Sequence, residues 1–186
     1  MKSNFNQLAA TSAAVLAGVV GTLELQQFDK HRENKQAIAS LEATVQPVVS
    51  NIGKQALAFA NSHPKETKVD EHGDWGEPTI DIQTTYGELS VGMKRTDGKL
   101  NPDSTNGVYV LVPRNVSDPR GNDAVEYVNM ERLKGTGWNL DSQFISDDDQ
   151  DMFYQVQADE TDLFNSTSIS HRALVLAKEV LKPNQA

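Results

Sequence analysis

Thr79–Thr85 (TIDIQTT), Glu88–Arg95 (ELSVGMKR) and Gly107–Val112 (GVYVLV) are the stretches where the apolar residues begin to alternate. Ile80 and Ile82 fall on one side of the first, as a half-buried strand requires. Tyr86-Gly87 and Asp97-Gly98 supply turn signals between successive runs, and Pro113 closes the third. Asp-Gly between alternating segments is a strong hairpin signature, because both residues tolerate positive φ. These runs predict three strands in an antiparallel meander.

Upstream the period is helical. Ile38, Val45, Ile52 and Phe59 recur every seven residues, with Leu41, Val48 or Val49, and Ala56 between them. Such a stripe is either a seam between subunits or, its commoner fate, the face that docks on the following domain. Pro47 removes one backbone bond and predicts a kink or break near Gln46. His63-Pro64 ends the helix. Residues 64–78 (PKETKVDEHGDWGEP) are charged and aperiodic and read as a linker.

Downstream, residues 122–134 (NDAVEYVNMERLK) read as a helix, capped by Asn122 or Asp123 and followed by Gly135. Met152–Gln157 (MFYQVQ) reads as a strand. A helix starting at Ser168 or Ser170 runs to about Leu181, with Ile169, Ala173, Leu174, Leu176, Ala177 and Val180 as its apolar face. It should cover one face of the sheet. The expected fold class is α+β: a long N-terminal helix, first membrane-type and then amphipathic and kinked, before a small antiparallel sheet with a C-terminal helix. The expected divisions are an apolar helix over 1–25, an amphipathic extension over 26–63, the linker over 64–78 and an acidic domain over 79–186.

From Ser3 to Leu23 no side chain is charged, and Leu8–Leu23 (LAATSAAVLAGVVGTL) is apolar or small throughout. About 20 helical residues reach roughly 30 Å, enough to cross the hydrocarbon of a bilayer. Ala10, Ala14 and Gly18 recur every four residues, with Ala17 and Gly21 on a neighbouring row beside Ala13. Small residues at this spacing let helix backbones approach closely. The segment is therefore expected to pack against other helices, in lipid or within a protein assembly. A secretory signal cleaved after Ala17 is the less favoured reading.

The charge is uneven. Residues 1–64 hold five Lys/Arg against four Asp/Glu, whereas 65–186 hold twelve against twenty-two, within a total of −9. An acidic domain repels phosphate backbones, so nucleic acid is not an expected partner. Cysteine is absent, which excludes disulfides, thiolate metal sites and cysteine nucleophiles.

No motif announces a reaction. Asp147, Asp149 and Asp151 resemble the start of a calcium loop, but its sixth position is Met152 and its twelfth Ala158, where glycine and glutamate belong. The run reads as a solvated acidic turn and a weak metal candidate. His31, His63, His72 and His171 show no metal-ligand spacing, and neither a GxSxG elbow nor a Gly-rich phosphate loop is present. Asn115-Val-Ser117 and Asn165-Ser-Thr167 match the glycosylation sequon. Trp75 and Trp138 are expected to close the core. No catalytic residue and no cofactor is expected.

The layout is similar in architecture to type IV pilins, with a long, half-apolar N-terminal helix before a small sheet domain. It departs from the pilin pattern in that the apolar run precedes Glu24, where pilins place a glutamate near the start of the run. The expectation is a non-enzymatic assembly subunit of a filament, cell envelope or virion, associating with itself, a membrane or other structural proteins. The alternative is an anchored enzyme or ligand-binding protein with its site in residues 79–182.

Overall fold

A computed structural model describes residues 35–114, 124–133, 137–146, 152–158 and 163–182. The segment expected to form a membrane-type helix, including Ala10, Ala14, Ala17, Gly18 and Gly21, lies outside these residues, as do Asp147, Asp149 and Asp151. Among the described residues no helix is long and apolar enough to cross a membrane.

Helical residues 35–62 form α1, which continues through Pro47 without interruption. Seven strands follow: β1 (Thr67–Asp70), β2 (Thr79–Thr84), β3 (Gly87–Thr96), β4 (Lys99–Arg114), β5 (Ala124–Leu133), β6 (Gly137–Ser146) and β7 (Met152–Ala158). They pair antiparallel in chain order, so the sheet is an uninterrupted meander. The helix α2 (Leu163–Val180) closes the fold. The described residues from 38 onward make one compact unit.

The expected three-strand meander is present and larger than its sequence signals. Asp97 and Gly98 adopt φ of 52° and 76° between β3 and β4, as a two-residue hairpin with both central residues left-handed demands. Thr85 and Tyr86 turn between β2 and β3, with Thr84 opposite Gly87. Pro102 lies within β4 where the register with β3 shifts. A proline is tolerated there because the ladder is already broken.

Two sequence expectations are overturned. The helix expected over 122–134 is not found in its described residues: 124–133 are β5, paired to both β4 and β6. Its inward side chains are Ala124, Glu126, Val128 and Met130, and its outward ones include Val125, Tyr127 and Asn129. A glutamate inside and a valine and tyrosine outside conceal the two-residue period. The stretch 64–78 also holds more than a linker, because Thr67–Asp70 adds an edge strand against β2. Four partly exposed residues carry no pattern of their own; β2 supplies their hydrogen-bond partners.

One face of the sheet holds the core. Ile80, Ile82, Leu89, Val91, Val108, Val110, Val128, Met130 and Leu140 are buried on it in register. On α1, Leu41, Val45, Val49, Ile52, Ala56 and Phe59 are buried in the same cluster, so the heptad stripe docks on the sheet of its own chain. Ile38 is half-buried at its start. Gly53 permits close approach: a Cβ there would lie 2.4 Å from Thr105 Oγ1. Gln46 donates to the carbonyls of Asp103 and Thr105, which ties α1 to the irregular part of β4.

On α2, Ile169, Ala173, Leu176, Ala177 and Val180 complete the core. The helix starts five residues before the earlier of the two expected positions. Its first turn carries the exposed Phe164 and no apolar stripe that would announce it. At the other end the Thr84 hydroxyl donates to the Val180 carbonyl, satisfying one of the helix's terminal acceptors.

A charged network fastens α2 to the sheet. Glu126 points into the core face and is 3% exposed. Arg172 of α2 grips both its carboxylate oxygens. Arg114 of β4 donates through Nε to Glu126 at 3.2 Å and through both terminal nitrogens to Glu179 of α2 at 3.1 and 3.0 Å. Burial pushes the Glu126 carboxyl up, but the combined pull of Arg172 and Arg114 is greater and holds it below the usual glutamate value of 4.5. A carboxyl depressed in the folded state adds stability above its unfolded pKa and loses it as pH falls through the folded one. We expect Glu126→Gln to cost about 2–3 kcal/mol in urea unfolding at neutral pH, between the ~3–5 of a broken buried pair and the ~1 of an exposed one. The gap between wild type and variant should narrow progressively below pH 4.5.

Candidate functional site

The opposite face of the sheet is not covered by α1 or α2. Side chains paired across neighbouring antiparallel strands share a face, so registers define its rows. One row reads Asp81, Ser90, Tyr109, Asn129, Asp141 from β2 to β6. The row on one side includes Glu88, Leu111, Tyr127 and Gln143, and that on the other includes Gly92, Gly107, Glu131 and Asn139.

The two glycines form a seat for Trp75. A Cβ on Gly107 would lie 2.1–2.6 Å from three atoms of the indole, and one on Gly92 would lie 2.6 Å from its edge. The ring therefore occupies the space two side chains would fill. The loop that carries it is braced by local bonds: His72 N–H to Asp70 Oδ1 at 2.9 Å, and Gly76 N–H to the Gly73 carbonyl at 2.9 Å. The His72 bond also holds the Asp70 carboxyl below its usual range. Met93 N–H donates to the Pro78 carbonyl at 3.0 Å where the loop rejoins the sheet.

Between Trp75 and β6 lies a cavity of about 590 Å³, lined by Asp74, Trp75, Tyr109, Tyr127, Asn129, Glu131 and Asp141. Tyr109 and Tyr127 lie 6.0 Å apart at 35°, presenting tilted ring surfaces. Burial pushes the Tyr109 phenol up, and Glu88 adds to this; burial, then Asp141 and Tyr109, push up that of Tyr127. Gln143 donates to Asp141 Oδ2 at 2.6 Å and orients that carboxylate. Among the described residues the cavity walls thus combine three aromatic rings, one amide and three acidic side chains. A second hollow of about 450 Å³ lies along β1, β2 and β3. Several of its polar groups bond to each other, with Ser90 donating to Asp81 at 2.8 Å and Gln83 to Glu88 at 3.1 Å.

The residues singled out in the sequence mostly lie elsewhere. Val45, Ile52 and Phe59 are core, and His63 stacks on Phe59 with ring centroids 4.2 Å apart. His72 and His171 are exposed. Trp138 is buried in the core, as expected, whereas Trp75 packs on the open face. Among the described residues no three His, Asp or Glu side chains are grouped closely enough to hold a metal ion. Tyr109, Tyr127, Asn129 and Asp141 were not legible as a group, because they come from three strands and meet only through register. The available signal was their alternation with Val108, Val110, Val128 and Leu140. No family model matches the chain, and no curated protein or solved structure matches it either.

The glycine seat makes a direct prediction. Gly107→Ala should unseat Trp75, moving its indole N–H resonance while that of Trp138 stays in place. The overpacking should cost about 1–3 kcal/mol in thermal or urea unfolding.

Proposed function

We propose that this chain is a non-enzymatic assembly subunit, anchored by the apolar run of residues 3–25 in a cell envelope or a virion shell. The observation that carries this reading is where the apolar faces go. The stripes of α1 and α2 are both consumed within one core. Leu8–Leu23 is a further long apolar stretch upstream of α1, with small residues on adjacent helical rows. In this reading copies associate through Ala10, Ala14, Ala17, Gly18 and Gly21, and the folded unit presents its open sheet face to other proteins or to solvent.

A second reading, a ligand-binding protein tethered by the same run, is favoured by the aromatic and acidic cavity beside Trp75. The comparison that separates the two is the size of the full chain in mild detergent beside a form beginning at Asn34. The assembly reading expects large, ordered particles from the full chain and a monodisperse monomer from the shortened one. Small detergent-bound particles from the full chain would reduce residues 3–25 to a plain anchor and leave the binding reading in its place.

A further inference from the structure

We infer that β1 is a self-pairing edge, along which two copies of this chain join antiparallel about a twofold axis at Val69. The contact goes beyond the assembly reading of residues 3–25 and is separable from it.

The backbone supplies the first observation. β1 stands at the end of the strand order and, among the described residues, pairs with β2 alone. Gln83 N–H donates to the Glu66 carbonyl at 3.0 Å in the same register. Hydrogen-bonded pairs recur at every second residue of an antiparallel ladder. Lys68 and Asp70 therefore turn their main-chain groups toward β2, and Thr67 and Val69 turn theirs outward. An outward row of this kind is a template for another strand.

The second observation is an uncovered apolar side chain. Val69 lies opposite Ile80 on the core side of the sheet. Ile80 is fully buried, whereas Val69 is 44% exposed. A strand added beyond β1 would cover it.

The third observation is the order of charges, which selects the occupant. Lys68 and Asp70 lie on the open face, 3.6 Å apart, with the lysine side chain 75% exposed. So exposed a pair adds little within one copy. With Val69 opposite the partner's Val69, Lys68 stands opposite the partner's Asp70, and Asp70 opposite the partner's Lys68. Opposite charges across a ladder stabilise it, and like charges oppose it. An axis at Lys68 would set two lysines together and Glu66 against the partner's Asp70. An axis at Asp70 would set two aspartates together, and one at Thr67 would run Val69 past the strand's end to the partner's Lys65. Only the Val69 register brings the valines together and matches both charges of the strand. The contact is then isologous, the usual form of a symmetric pair. A lysine on a short edge strand also discourages indiscriminate pairing. Four residues make a weak contact alone, so a dilute form without residues 3–25 stays monomeric, and pairing strengthens where copies are held close.

The test uses the full chain in mild detergent. It has no cysteine, so Val69→Cys introduces a single thiol. Facing residues of a hydrogen-bonded antiparallel pair have Cα atoms about 5.5 Å apart, within the ~4.4–6.8 Å that a disulfide spans. Mild oxidation should link Val69→Cys into a dimer, whereas Lys99→Cys, exposed at the β3–β4 hairpin, should stay unlinked. Adding Lys68→Glu to Val69→Cys replaces two opposite-charge pairs with two like-charge pairs and should lower the linked yield about tenfold. In the unsubstituted chain, exchange of the Thr67 and Val69 amides should slow as concentration rises. Thermal melts show whether each variant remains folded. Absence of the Val69→Cys dimer, equal linking of Lys99→Cys, a yield indifferent to Lys68→Glu, or amide exchange independent of concentration would each overturn the proposal. Particle size in the same samples reads the assembly proposal separately. Large particles without the Val69 link remove the β1 contact alone, and linked dimers without larger particles retain it while removing assembly through residues 3–25.

Discussion

A glutamate buried on the core face of the sheet, Glu126, sits between two guanidinium groups from different elements, and the position of α2 depends on that arrangement. Desolvating a carboxylate is costly, and it persists only where partners surround it. Arg172 comes from α2 and Arg114 from the end of β4, and Arg114 reaches onward to Glu179 of α2. The network therefore joins β4, β5 and α2 in one geometry. Apolar packing of Ile169, Ala173, Leu176 and Val180 supplies attraction between helix and sheet but little direction. The paired charges add direction, because a slid helix would leave a buried carboxylate unmatched.

With both helices drawn to one face, the other face is free to differ. Its side chains have no core to join, so they include polar and aromatic groups at alternate positions of β4, β5 and β6. Tyr109, Tyr127, Asn129 and Asp141 become neighbours solely through register, and Trp75 arrives from a loop onto two glycines. The cavity is thus a by-product of helix placement. The same asymmetry explains why β5 misleads as a sequence: its inward row includes the charge that binds α2, and its outward row includes the tyrosine that lines the cavity.

The parts of the fold legible in the sequence were those whose pattern and burial agree. TIDIQTT and GVYVLV alternate because one side of each is core, and Asp97-Gly98 turns because both residues accept positive φ. The α1 stripe and the apolar face of α2 were readable for the same reason. Elements whose stabilisation comes from partners were not: β1 borrows its ladder from β2, and the first turn of α2 precedes its apolar face. The site residues were least legible, since tyrosine, asparagine and aspartate on single strands are ordinary surface choices.

The sequence by itself determined the order and kind of most elements, the acidic character of the folded unit and the presence of a separate apolar run, because period, turn chemistry and composition act over a few neighbouring residues. Only the tertiary structure decided that the heptad stripe docks on its own sheet, that 124–133 is a strand, and that three rings and three carboxylates share one cavity. Those outcomes rest on pairings between residues far apart in the chain, and register across strands is a property of the assembled sheet that no single segment carries.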